Sequence, residues 1–140
     1  MDRTLVLVKP DAMQRNYGGA ILARLEAAGL KLSALKMLKV DEALARRHYA
    51  VHVDKPFFKD LIAYITSYPI IAAVFTGPNA VEVARKTMGA TDPKKADSGT
   101  IRRDFGIDIQ CNAVHGSDSA ENAEKEISLY FTPQEICVLK

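Results

Sequence analysis

Leu5-Val6-Leu7-Val8, followed at once by Lys9-Pro10-Asp11, is a continuous apolar run with an abrupt stop. A strand with one wet face alternates apolar and polar residues. A run without alternation reads as a central strand covered on both faces. Pro10 ends it, because proline has no N–H to give to a ladder. Outward from this strand, Gly18 and Gly19 precede Ala20–Ala28, where Ile21, Leu22, Leu25 and Ala28 recur at helical spacing, and Gly29 supplies a helix stop. Leu30–Val40 alternates in part and reads as a second strand. Asp41 is placed to cap a short helix running through His48 and Tyr49.

Pro56 is expected to open the next helix, with Phe57, Leu61, Tyr64 and Ile65 on one face. Ile70–Phe75 reads as a third strand, and Asn79 as the cap of a helix ending at Gly89. Residues 90–106 lack periodicity, and an aperiodic stretch that long inside a compact domain is more often functional than idle. Cys111–His115 reads as a last short strand. Asp118 or Ser119 then starts a helix, with an Asp118…Glu121 spacing like that of a capping box. Four short strands interleaved with helices predict an α+β fold. Specifically, the order suits a ferredoxin-like αβ sandwich, a four-stranded antiparallel sheet covered by helices.

The chain has 140 residues, which predicts a single domain over 1–140. Nineteen basic residues stand against 17 acidic ones, a formal net charge of +2. That balance gives no general pull toward nucleic acid or a membrane surface, so charge must act through local clusters. No apolar run approaches the roughly 20 residues of a membrane span. The run at the start is also shorter than the apolar core of a secretory signal, about 7–15 residues. Cys111 and Cys137 form no CxxC and no disulfide framework, which fits a reduced, cytoplasmic chain.

His115 sits in Asn112-Ala113-Val114-His115-Gly116-Ser117-Asp118-Ser119, where a strand gives way through a glycine to a capped helix. Two readings fit it: a polar turn residue, or a nucleophile at an element edge. A neutral imidazole nitrogen is available near neutral pH. His48 and His52 are spaced i, i+4 like half of a zinc site, without a glutamate at the HExxH position. Lys9, at the end of an apolar strand, calls for a carboxylate or an anionic ligand. Arg85, Lys86, Lys94, Lys95, Arg102 and Arg103 flank or occupy the aperiodic stretch, with the hydroxyls of Thr91, Ser98 and Thr100. Guanidinium forks and hydroxyls are what a polyphosphate requires. Of Phe57 and Phe58, one suits the core and the other a stacking surface. No GxxxxGK[ST] and no GxGxxG occurs, so phosphate recognition would rest on side chains.

The segment 112–119 closely resembles the NxxHGSDS signature of nucleoside diphosphate kinases. Ordered blocks extend the resemblance over residues 2–131: Arg3-Thr4-Leu5 through Lys9-Pro10-Asp11, His48-Tyr49, Lys55-Pro56-Phe57-Phe58, Gly89-Ala90-Thr91-Asp92-Pro93, Gly99 to Phe105, and Glu124-Lys125-Glu126-Ile127. It favours the nucleophile reading of His115. It implies γ-phosphoryl transfer from a nucleoside triphosphate to a nucleoside diphosphate, by ping-pong through a phosphohistidine, with Mg²⁺ as cofactor. It further implies that His115 attacks through Nδ1. Glu126 would hold the other ring nitrogen, with Ser117 bonded to that carboxylate. Lys9 and Asn112 would meet the sugar near its 3′ hydroxyl. Tyr49, Arg85, Thr91 and Arg102 would surround the phosphates, and Lys9 and Tyr49 count with the catalytic set. Phe57 would stack on the base in a slot that Leu61 lines. Mg²⁺ would be held mainly by phosphates and water, with no dedicated protein ligand.

Three positions depart from the family pattern. Lys55 stands where many members carry arginine, Ser98 where many carry proline, and Tyr68 where a glycine is common. The chain also runs only a few residues past Ile136, without the longer tryptophan-containing tail of some members. Homo-oligomers, tetramer or hexamer, are the implied assemblies. Other functional classes are a nucleotide-binding regulatory module of the same fold and a nucleic-acid-binding αβ sandwich. The near-neutral charge makes nucleic acid an unexpected partner.

Overall fold

The computed structural model describes residues 2–139. The strands are β1 (Asp2–Val8), β2 (Lys31–Leu38), β3 (Ile70–Gly77) and β4 (Val114–Gly116). The helices are α1 (Pro10–Gln14), α2 (Gly18–Ala27), α3 (Glu42–His48), α4 (Phe58–Ile65), α5 (Ala80–Met88), α6 (Ile101–Phe105) and α7 (Ala120–Tyr130). The sheet order is β2-β3-β1-β4, and every neighbouring pair is antiparallel. This is the ferredoxin-like sandwich expected from the sequence.

Leu5, Val6, Leu7 and Val8 are all fully buried, and β1 lies inside the sheet. Leu5 and Leu7 join one core with Ala72 and Val74 of β3 and with Ala45, Phe58, Ile62, Ile127 and Tyr130 from α3, α4 and α7. Val6 and Val8 join a second core on the opposite face, with Ile21, Leu25, Ala84, Met88 and Ile101. The period of two along β1 thus feeds two cores at once, and each buried side chain contributes about 1.5–3 kcal/mol. β4 pairs along β1 with His115 opposite Leu7, so His115 faces the side covered by α3, α4 and α7.

Five local expectations need correction. The helix after Pro56 begins at Phe58, not at the proline. Its inward residues are Phe58, Ile62 and Ile65, and Phe57 points out. Asn79 precedes α5 in a left-handed conformation, φ +54°, with no side-chain cap bond. The helix beginning at 120 is capped by Ser119, whose Oγ accepts from the Asn122 N–H at 3.1 Å. Asp118 instead accepts from the Asn122 side chain at 2.7 Å, so no Asp118–Glu121 capping box forms. The last strand is Val114–Gly116, shorter than 111–115 and shifted by one residue. The stretch 90–106 contains α6, capped by Thr100, whose hydroxyl accepts from Arg103 N–H at 3.3 Å. The Asp41 cap is present, with Asp41 Oδ1 accepting from Leu44 N–H at 2.8 Å.

Candidate active site

β4 and α7 place His115 and Glu126 against each other. His115 Nε2 lies 3.1 Å from Glu126 Oε1, and Ser117 Oγ donates to the same oxygen at 2.7 Å. Ser117 is fixed in turn because its N–H donates to Leu5 O at 3.2 Å, prolonging the β1–β4 ladder. The two side chains are only partly buried, His115 26% and Glu126 19% exposed, so the pair faces an opening. Burial pushes the Glu126 carboxyl up, but the bond from His115, the charge of that ring and the bond from Ser117 outweigh it. The carboxyl falls well below the usual range and stays ionised. With Nε2 turned to Glu126, Nδ1 is the ring nitrogen not engaged by that carboxylate.

His48, the last residue of α3, packs edge-on against His115 with ring centroids 4.7 Å apart. Its Nδ1 shares a 3.2 Å hydrogen bond with the Tyr130 hydroxyl. Burial, reinforced by His115, holds the His48 imidazole below its ordinary value, so it stays neutral. Tyr49 packs edge-on to His48 at 4.8 Å, and burial pushes its phenol up to about 12. Tyr49, His52 and Phe57 continue the row of rings, with centroid separations of 6.3 and 5.6 Å. His48 thus groups with His115 and Glu126. A cleft of about 440 Å³ opens here, lined by Arg47, His48, Tyr49, His52, His115 and Glu126 among others.

On the other flank of β4, Lys9 is buried. Its Nζ donates to Asn112 Oδ1 at 2.8 Å and to Gln110 O at 3.0 Å, and Asn112 Nδ2 donates to Thr91 O at 3.0 Å. Burial lowers the Lys9 ammonium to about 8, against the pull of Asp11 and with the push of Arg102. Arg102 donates to Gly89 O at 3.1 Å and Val114 O at 2.9 Å, while its buried Nε has no partner. Burial and the neighbouring Arg85 bring its guanidinium down to about 10. Gly89 lets Arg102 and α6 approach: its φ is +84°, and a Cβ there would come within 2.6 Å of Thr100 Oγ1.

Sequence reasoning missed Asp11. Its carboxylate is buried and accepts from the Tyr64 hydroxyl, from Arg15 Nη2 at 3.1 Å and from the Ala113 N–H at 3.1 Å. Ala113 has φ +75°, a left-handed conformation that costs an alanine about 1–2 kcal/mol. Asp11 thus pins a strained residue two places before His115. An acid just after a helix-opening proline was the only sequence signal available. His48 was likewise missed as a neighbour of His115, because the two lie 67 positions apart in the chain.

The remaining candidates stand at the rim. Phe57 is 45% exposed, Leu61 is partly buried, and Lys55, Arg85 and Thr91 are exposed. The Lys55 N–H bonds to His52 O at 2.9 Å, which anchors its backbone beside the row of rings. His115, Glu126, Ser117 and Tyr49 are thus brought together. Lys9, Asn112, Thr91 and Arg102 converge on the segment leading into β4, and Lys55, Phe57 and Leu61 occupy one outer margin. A larger groove of about 670 Å³, between α7 and residues 133–139, lies apart from these groups. Among the described residues no helix is long and apolar enough to cross a membrane.

The family model for nucleoside diphosphate kinase matches residues 2–136. A nucleoside diphosphate kinase of Dehalococcoides mccartyi is 62% identical over 136 residues, covering 97% of this chain and 96% of that protein. Among solved structures, a halophilic nucleoside diphosphate kinase from Halobacterium salinarum, solved in complex with CDP, superposes with a TM-score of 0.96 at 46% identity, covering 100% of this chain and 94% of that one. A family protein from Babesia bovis gives a TM-score of 0.96 at 43% identity, with 100% and 95% covered. The chain belongs to the nucleoside diphosphate kinase family and is an enzyme of nucleotide phosphotransfer.

Proposed function

We propose that the enzyme carries the γ-phosphoryl group of a nucleoside triphosphate to a nucleoside diphosphate through a phosphohistidine at His115. The observation that carries this reading is the single Glu126 oxygen that receives both His115 Nε2 and Ser117 Oγ. A carboxylate on Nε2 fixes the proton there, leaves the Nδ1 lone pair free and holds the ring angle. In the first half-reaction Nδ1 bonds to the γ-phosphorus as the bond to the bridging oxygen breaks, and the diphosphate departs. In the second, a terminal oxygen of an incoming diphosphate takes the phosphoryl group and the nitrogen–phosphorus bond breaks. Glu126 stabilises the cationic ring in both.

Lys9 and Asn112 are read as the sugar-binding pair, and Arg85, Arg102, Lys55, Thr91 and Tyr49 as the surround of the phosphates. Phe57, with Leu61 beside it, is read as the base platform. Stacking accepts any base, because each has a π face. The donor cluster at the pocket, His48, His115 and Glu126, offers two nitrogens and one oxygen. That set does not fit Mg²⁺, which takes oxygen ligands in octahedral array. The cofactor's place in this reading is on the nucleotide's own phosphates and waters.

We also read the outer edge of β2, with Leu35 50% and Met37 64% exposed, as a surface where copies of the chain meet. The unpaired thiols of Cys111 and Cys137 agree with a cytoplasmic setting. The test of the mechanism is labelling with γ-labelled ATP. The expected adduct is acid-labile and base-stable, transfers to added diphosphate, and is absent from His115→Ala while that variant still binds nucleotide. Nucleotide binding without any label, or an acid-stable label, overturns it.

A further inference from the structure

We propose that His48, His115 and Glu126 form a binding site for a borderline transition dication such as Zn²⁺, and that occupancy silences the nucleophile. One ligand atom from each residue lies within 4.8 Å of the others. The His115 Nε2–Glu126 Oε1 edge is 3.1 Å, close to the spacing of two ligands on one tetrahedral zinc. The His115 and Glu126 side chains are partly exposed to the cleft, so an ion has a path in and room for a water as fourth ligand. Two imidazoles and a carboxylate are a donor set that zinc shares with catalytic sites and that Mg²⁺ and Ca²⁺ disfavour. The surrounding support is already present. Ser117 bonds the carboxylate and Tyr130 bonds the His48 ring, the kind of outer contact that orients metal ligands.

The consequence follows from proton bookkeeping. With the site empty, the carboxylate of Glu126 beside Nε2 favours the tautomer that carries its proton on that nitrogen. Metal on Nε2 takes that nitrogen's lone pair, and the displaced proton moves to Nδ1. No proton is gained or lost by the ring, but the nitrogen that attacks phosphorus is now an N–H. The metal would therefore act as a reversible off-state, competing with turnover and unrelated to the Mg²⁺ that travels with the nucleotide. Binding stands on the geometry of the three side chains, whereas silencing rests on the phosphohistidine reading.

Co²⁺ is the probe. Titrated into the full-length protein, it is expected to give visible d–d bands of tetrahedral intensity at one equivalent, undiminished by excess Mg²⁺. His48→Ala and Glu126→Gln should each weaken Co²⁺ binding at least about tenfold, the loss that follows removal of even an outer-shell partner. Cys111→Ser/Cys137→Ser should leave it intact. Nitrogen-15 histidine spectra of the unaltered protein should show His115 Nε2 ligated and Nδ1 protonated, a readout that needs no variant to fold. With free Zn²⁺ buffered and Mg²⁺–ATP in excess, acid-labile labelling should fall with occupancy and return on chelation. Bands that survive His48→Ala at equal affinity, or vanish with the cysteines, overturn the site. Metal bound at His115 with labelling unchanged overturns the silencing. Failure to label with Mg²⁺–ATP in zinc-free buffer counts against the phosphohistidine reading and leaves the Co²⁺ result standing.

Discussion

The floor of the pocket and its rim are built on opposite terms. On the floor, His115, Glu126, Ser117, Lys9, Asn112 and Arg102 are tied to backbone or to one another. At the rim, Lys55, Phe57, Arg85 and Thr91 are exposed. The floor is settled before any nucleotide arrives, so its cost in strain and desolvation is met by folding. The strained Ala113, the buried Lys9 and the lowered Arg102 are where that cost appears. The rim's side chains are exposed, so each is expected to add affinity only in a small increment. Catalysis should thus be steeply sensitive to the floor and only mildly to the rim.

The hardest test of this contrast is Glu126→Gln. The amide still fills the space but loses the charge that, on the phosphohistidine reading, stabilises the ring in the transition state. A fall in kcat of about 100-fold, with KM little changed, is the expected steady-state result. A loss confined to KM would show that Glu126 does not act in the chemical step. Lys9 gives the next largest effect. Its ammonium titrates near 8 in the fold and at 10.5 ordinarily, so over that interval the native state binds fewer protons than the unfolded chain. Conformational stability should therefore rise with pH between those values while nucleotide binding weakens. KM should climb by about tenfold or more above pH 8, the worth of a charge-assisted hydrogen bond. Lys9→Met should flatten this limb at weaker overall binding, and a limb that survives the substitution assigns it elsewhere.

At the rim, Lys55→Ala should weaken di- and triphosphates by about fivefold or less, as exposed charges do, and nucleosides hardly at all. Calorimetry across the three ligand types decides it, and equal losses would remove Lys55 from the phosphate surround. The smallest effect belongs to Ser98→Pro, in the exposed turn before Gly99 and α6. Restoring the proline should raise stability by about 0.4–1 kcal/mol in thermal or denaturant unfolding, with kcat unchanged. Nothing in the structure explains Tyr68 in place of the family's usual glycine.

How legible each part was follows from the range of the interaction that forms it. The β1 run was readable because burial on two faces leaves a one-dimensional trace in Leu5–Val8. The Asp41 cap was readable because it acts over three residues. α1 and α6 escaped because each has only five residues, too few to establish a period. The left-handed Ala113 escaped because its N–H is held by Asp11, far away along the chain. His115 was visible through its surrounding motif. By contrast, the hold of Asp11, itself bonded by the Tyr64 hydroxyl, on the Ala113 N–H, and the contact of His48 with His115, leave no local mark.

The amino-acid order by itself determined which segments pair into a sheet, which side chains seek the interior, and which imidazole stands where a strand turns into a helix. Those outcomes depend on hydrophobic spacing and short-range backbone chemistry, both written along the chain. Only the tertiary structure decided that Glu126 takes Nε2 and leaves Nδ1 free, that Lys9 loses part of its basicity, and that a second histidine closes on the first. Each depends on distance and desolvation between residues remote in sequence, and those quantities exist only once the cores on the two faces of β1 have closed.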